Sequence, residues 1–132
     1  MKRHMIGLLA ALALPIVMIT LPACGGGDAK KGPEISDENM KLAKAHFNAY
    51  CSTCHGQSGK GDGPAGVALD PKPRNWTDKK WQESVDDAHI AKVIREGGQS
   101  VGLSPLMAAN PTYGENPDVI AALVQIVRSY GK

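Results

Sequence analysis

Hydrophobic residues are arranged along this chain in two ways. From Met5 to Leu21 they form a nearly continuous run, preceded by Lys2 and Arg3 and interrupted by Pro15. Beyond residue 34 they recur three and four positions apart, the period of a helix with one buried face. In ISDENMKLAKAHFNAY that period joins Met40, Ala43, Phe47 and Tyr50. Ser36 is suited to an N-cap, Asp37 and Glu38 put negative charge in the first turn, and Ile35 and Met40 have the spacing of a hydrophobic staple, which predicts a helix over 36–50. A short helix is predicted from Thr77, as cap, through Trp81. A longer one follows, with Ser84 and Asp87 as a capping pair, Ile90, Val93 and Ile94 as its apolar face and Gly97-Gly98 as its end. The last begins with Asn116 as cap and Pro117 at its first position and runs through Tyr130, turning Val119, Leu123, Ile126, Val127 and Tyr130 inward.

The connections are long. Pro71 and Pro73 make LDPKPRNW an extended, rigid loop, and 99–115 shows no sustained period. Nothing predicts a strand and no segment repeats, so the fold class is all-α, with three main helices and a short one. At 132 residues, 42% hydrophobic and 5% aromatic, the chain is enough for one small domain with a thin core. Loops longer than about 15 residues are uncommon in a compact domain unless they wrap something. A large apolar group inside would account for them.

The continuous run reads as a secretory signal peptide over 1–23. It is short for a membrane-spanning helix. Leu21, Pro22, Ala23 and Cys24 resemble a lipobox, in which Cys24 becomes the first mature residue and carries acyl chains, each buried methylene adding about 0.8 kcal/mol of membrane affinity. GGGDAKKGP then supplies a flexible tether over 24–33, and the folded domain occupies 34–132. Loss of Lys2 and Arg3 takes the 15 basic residues to 13, against 13 acidic ones. A near-neutral domain lacks the basic face that a nucleic-acid partner requires. Gly25, where an aspartate would favour retention at the inner membrane, points to the outer membrane of a bacterial envelope.

The remaining chemistry lies in AYCSTCHGQSGKGDGPAG. Cys51 and Cys54 could form a redox-active disulfide, bind zinc or add to a cofactor. A thioredoxin-like pair follows a strand, and none precedes Cys51. A structural zinc needs four ligands, and with Cys24 assigned to the anchor no second cysteine pair remains. Cys-x-x-Cys-His is the signature of covalent haem attachment, with two thioether bonds and His55 as axial ligand. The glycines that follow have no preceding strand and no Gly-Lys-Ser/Thr step, so they do not read as a phosphate loop. Gly56, Gly59, Gly61, Gly63 and Gly66 are expected to let the backbone turn tightly against a haem face. Candidates for the sixth iron position are Met40, Met107, His46 and His89.

On these residues the chain resembles the class I cytochromes c, and CHGQSGKGDGPAGVALDPKPRNWTD looks like bacterial periplasmic members. The resemblance implies that the N-terminal helix crosses the C-terminal one, here Ala43 and Phe47 against Leu123, Ile126 and Tyr130. Ala43 stands where the family often has glycine, and Ile126 where it often has an aromatic residue. The resemblance also implies that a methionine between the last two helices binds the iron, which selects Met107 in SPLMAANP, although Ala108 replaces the proline often found there. Arg74 and Trp76 are candidate contacts for haem propionates, and Pro64 or Pro71 for the carbonyl that orients His55. Lys79 and Lys80 read as a solvated helix face.

The function so implied is one-electron transfer by a lipid-anchored monomer carrying one haem c, among redox protein partners in a bacterial respiratory chain. It implies no enzymatic turnover and no small-molecule substrate. The alternatives are a fixed haem subunit of a membrane oxidase or reductase, and a peroxidase or gas sensor with an open sixth position.

Overall fold

The structure, a computed structural model, describes residues 34–132. The signal-peptide span 1–23, Cys24 and the tether 24–33 lie outside the described residues. Helix α1, Asp37–His46, starts where its capping signal places it, with the Ser36 hydroxyl accepting the Asn39 N–H at 3.2 Å. The backbone then widens into a π-helical turn, Phe47–Cys51, and closes again as α2, Ser52–His55. A π turn takes up an extra residue and so shifts the phase of the side chains after it. Phe47 is buried, but Tyr50, which the 3.6-residue period places on the same face, is 66% exposed.

The next two helices begin later than their sequence signals. Asn75 accepts both the N–H and the hydroxyl of Thr77 through Oδ1, so Asp78 caps α3, Lys79–Ser84, in place of Thr77. Ser84 ends that helix, its hydroxyl donating to the Trp81 carbonyl. Asp86 therefore caps α4, Asp87–Glu96, by accepting the His89 N–H at 2.7 Å. Gly97 stops α4 with φ 82°, and a 3-10 turn, Gly98–Val101, leads into the long loop. Helix α5, Pro117–Ser129, opens on Asn116 and Pro117 as expected. Among the described residues the regular elements are helical, and none is long and apolar enough to cross a membrane.

The core forms where α1 crosses α5, and α4 packs on α5 as well. With a neighbour on two sides, α5 buries more than its predicted stripe: Ile120, Ala122 and Val124 are enclosed along with Val119, Leu123 and Val127, while Ile126 is half-buried. Each fully buried valine, leucine or isoleucine contributes about 1.5–3 kcal/mol. Ala43 is completely buried in the same cluster as Phe47 and Leu123, so the expected crossing is present with alanine in place of glycine.

A polar staple reaches from α5 to the α3–α4 junction. Arg128 donates from Nε to Asp87 Oδ1 at 2.7 Å, from Nη1 to Gln82 Oε1 at 2.9 Å, and from Nη2 to the Val85 carbonyl at 2.7 Å. Gln82 passes the constraint on, its Nε2 donating to the carbonyls of Trp76, at 2.8 Å, and Val127, at 3.0 Å.

Candidate functional site

Cys51 ends the π turn, and Cys54 and His55 occupy the last turn of α2. Three residues apart on helical backbone, the two cysteines fall near one side of it. Both are half-buried, and no disulfide joins them. Burial pushes the Cys51 thiol up to about 11, with Cys54 adding to the effect, so its sulfur stays protonated at neutral pH. His55 is buried, and burial lowers its pKa; the imidazole is therefore neutral, the form in which a ring nitrogen can bind a metal.

The glycine-rich segment folds back on the end of α2. The carbonyls of Thr53, Cys54 and His55, which have no partner inside the helix, accept the N–H groups of Ala65, Gly63 and Gly61 at 2.9, 3.1 and 2.9 Å. This close return is what requires glycine. Gly61 has φ 77°, and a Cβ there would strike the Pro73 carbonyl; a Cβ on Gly66 would strike the carbonyl of Cys54. At Gly61, Gly63 and Gly66 the first atoms a Cβ would meet are protein backbone, whereas at Gly56 and Gly59 they are the side chains of Asp62 and Tyr130.

The carbonyl that orients His55 also differs from expectation. Neither Pro64 nor Pro71 supplies it; the Arg74 carbonyl lies 3.4 Å from His55 Nδ1, because the proline-bearing loop carries Arg74 past the ring. Trp76 stacks on the imidazole, with centroids 4.0 Å apart and planes 16° from parallel. Its face is thus engaged by His55. The Arg74 side chain is exposed, with its guanidinium carbon 5.8 Å from the centre of the Trp81 ring.

These residues border a cavity of about 400 Å³, within the range of small-molecule and cofactor sites. Cys54, His55, Arg74 and Trp76 line it, with Ile90, Val93 and Ile94 of α4 and Leu103, Leu106 and Met107 of the following loop. Cys51 is outside that lining and packs against the core one turn earlier. Met107 is held by its backbone: its carbonyl accepts the Gly98 N–H at 2.8 Å and its N–H donates to Ser104 at 3.2 Å.

Of the other candidates for the iron, His89 lines the same cavity, while Met40 packs against the core. His46 serves elsewhere, its Nε2 taking a hydrogen bond from the amide of Asn110 at 2.9 Å. Asn110 anchors the C-terminal end of the Met107 loop through its own N–H to Ile94 and through Oδ1, which accepts from Thr112 and Tyr113. The one sequence signal for it was Asn110-Pro111, a turn-initiating pair.

The donor set suits a haem: two thiols at attachment spacing, with an imidazole and a thioether on one largely apolar cavity. Comparison with known proteins agrees. Residues 40–129 match the family model described as Cytochrome c. The cbb3-type cytochrome c oxidase subunit FixP of Bradyrhizobium diazoefficiens is 32% identical over 111 residues, which is 84% of this chain and 30% of that protein. FixP of Azorhizobium caulinodans is 33% identical over 105 residues, 78% of this chain and 27% of that one. The chain thus spans under a third of the length of these relatives. With the attachment motif, the helical fold and the family match in agreement, the chain belongs to the cytochrome c family and is a c-type cytochrome with covalently bound haem c.

Proposed function

We propose that the chain is a one-electron carrier in which Cys51 and Cys54 hold the haem, His55 binds its iron on one side and Met107 on the other. The haem supplies an iron that cycles between ferrous and ferric. The protein's part is to keep the two ligands fixed across that change. His55 is held by its buried helix end and the Trp76 stack, and Met107 by backbone hydrogen bonds, so little reorganises when the charge changes. A neutral thioether and apolar walls from α4 disfavour the additional positive charge of the ferric state and raise the potential.

The observation that carries this reading is His55 and Met107 on the same apolar cavity, next to Cys54. An optical spectrum with a redox titration tests it. The weak far-red band of methionine-ligated ferric haem is expected in the native protein and in His89→Ala, and should vanish in Met107→Ala. Rapid carbon monoxide binding by the reduced, folded protein would instead mean an open sixth position, as in a peroxidase or gas sensor.

Under this proposal, Cys24 anchors the mature protein by lipid to a bacterial envelope membrane, the outer one favoured, and the tether lets a monomeric domain sample redox protein partners at high effective concentration. No substrate turnover is involved. The likeness to FixP favours a second reading, a fixed subunit of a membrane oxidase. Gentle detergent extraction separates the two: a carrier leaves the membrane as a lone acylated domain, whereas a subunit leaves with an oxidase.

A further inference from the structure

We infer that Trp76 is the residue that sets the rotation of the His55 imidazole about its Cβ–Cγ bond, and through it the orientation of the axial ligand plane at the iron. The inference rests on the proposed role of His55 as that ligand. A ligating histidine is usually oriented by a hydrogen bond from its other ring nitrogen. Here the bond is weak: Nδ1 lies 3.4 Å from the Arg74 carbonyl, against about 2.9–3.0 Å for a good N–H···O contact. It selects the tautomer, since a carbonyl only accepts and Nδ1 must carry the proton, leaving the Nε2 lone pair for metal. A long bond gives little resistance to rotation. The indole gives more, because a ring 4.0 Å away and nearly parallel blocks the imidazole from turning towards it.

Trp76 can do this only if it cannot move itself, and away from the cavity it is held at its backbone and at its ring. Its backbone N–H donates to the Gly59 carbonyl at 2.7 Å and its backbone carbonyl accepts from Gln82 Nε2 at 2.8 Å. Phe47 and Tyr130 flank the ring, with centroids at 6.2 and 5.7 Å. The arrangement leaves no room at Gly59, where a Cβ would come within 2.7 Å of the Tyr130 ring. An indole confined in this way, buried to 7% exposure, is a fixed wall for the imidazole.

The plane of an axial imidazole, together with the orientation of a methionine ligand's free sulfur lone pair, would decide how unpaired spin is distributed among the four haem methyl groups of the ferric state. Their proton NMR shifts therefore report ligand orientation independently of electron-transfer activity. In the haem-loaded protein, Trp76→Phe keeps a flat ring against His55 and should retain the native order and spread of the four resonances. Trp76→Leu, or Trp76→Met should that variant not fold, removes the flat wall and should reorder or compress them. Val119→Ala, a core substitution away from the cavity, should lower the unfolding temperature and leave the pattern unchanged. A native pattern in the aliphatic variants, or equal disturbance in Val119→Ala, would overturn the positioning role while leaving the haem site standing. A native protein that binds no haem would overturn the site and this inference together.

Discussion

Asn110 holds His46 across 64 residues of sequence, its amide nitrogen 2.9 Å from the imidazole Nε2. Because Asn110 Oδ1 is already taken by the N–H groups of Thr112 and Tyr113, the NH₂ group must face the histidine. Nε2 must then be an acceptor, so His46 is neutral here. The bond ties α1 to the end of the loop that carries Met107.

This tie has a pH dependence of definite sign. Burial lowers the folded-state pKa of His46 below its ordinary 6.5. As pH falls below 6.5 the unfolded chain takes up a proton that the folded chain refuses, so stability declines. The decline ends once pH passes below the folded-state value and both states are protonated. Thermal unfolding of the haem-loaded protein, followed by circular dichroism between pH 7.5 and 4.5, should show the midpoint falling below about 6.5. In His46→Gln, which cannot titrate, that part of the fall should be absent; an unchanged profile would count against the tie.

Gly61 gives a second prediction. Its φ of 77° is unfavourable for any residue with a Cβ, and the Pro73 carbonyl occupies the space a Cβ would need. Gly61→Ala should cost about 1–3 kcal/mol and lower the yield of haem-loaded protein. Since the obstruction is the Pro73 carbonyl, the potential of the molecules that do mature should stay native. A shifted potential at native yield would point instead to contact with the haem.

The parts of this molecule that depend on neighbours in sequence were legible before the structure. Cys51, Cys54 and His55 lie within five residues, and Asn116-Pro117 marks its helix start unaided. Tyr50 departs from the helical period because a π turn, which has no distinctive composition, changes the phase on which periodicity relies. Thr77 has the residue type of a cap, but Asn75, two residues earlier, captures it. The Arg74 carbonyl could not be foreseen, since any residue brings a carbonyl and only the path of the loop decides which one meets His55. Gln82 and Arg128 look like ordinary solvated residues, and their contact becomes visible only when α5 is laid against α3.

Ala43 makes the α1–α5 crossing a place to test packing. With no exposed surface, it has no room for a larger side chain. Ala43→Leu should cost about 1–3 kcal/mol through overpacking. Because Ala43 is not among the cavity-lining residues, the optical spectrum of the folded fraction should remain native. Urea unfolding monitored beside the spectrum checks both halves, and a disturbed spectrum would mean that the crossing and the haem site are mechanically coupled.

The staple from α5 separates two kinds of contribution from one arginine. Its ion pair with Asp87 is largely solvated, the carboxylate side chain being 66% exposed, and such pairs are worth about 0–1 kcal/mol. Its bonds to the Gln82 side chain and the Val85 carbonyl are part-buried, and leaving such groups unpaired costs about 1–3 kcal/mol. Asp87→Asn should therefore change stability little, whereas Arg128→Met should destabilise clearly. The loss should also reach the haem, because Arg128 holds Gln82 and Gln82 holds the Trp76 carbonyl. Urea midpoints rank the two variants. The haem methyl spectrum of Arg128→Met then shows whether freeing Gln82 loosens Trp76, in which case the resonances broaden or move towards those of Trp76→Leu; a native spectrum would restrict the staple to stability alone.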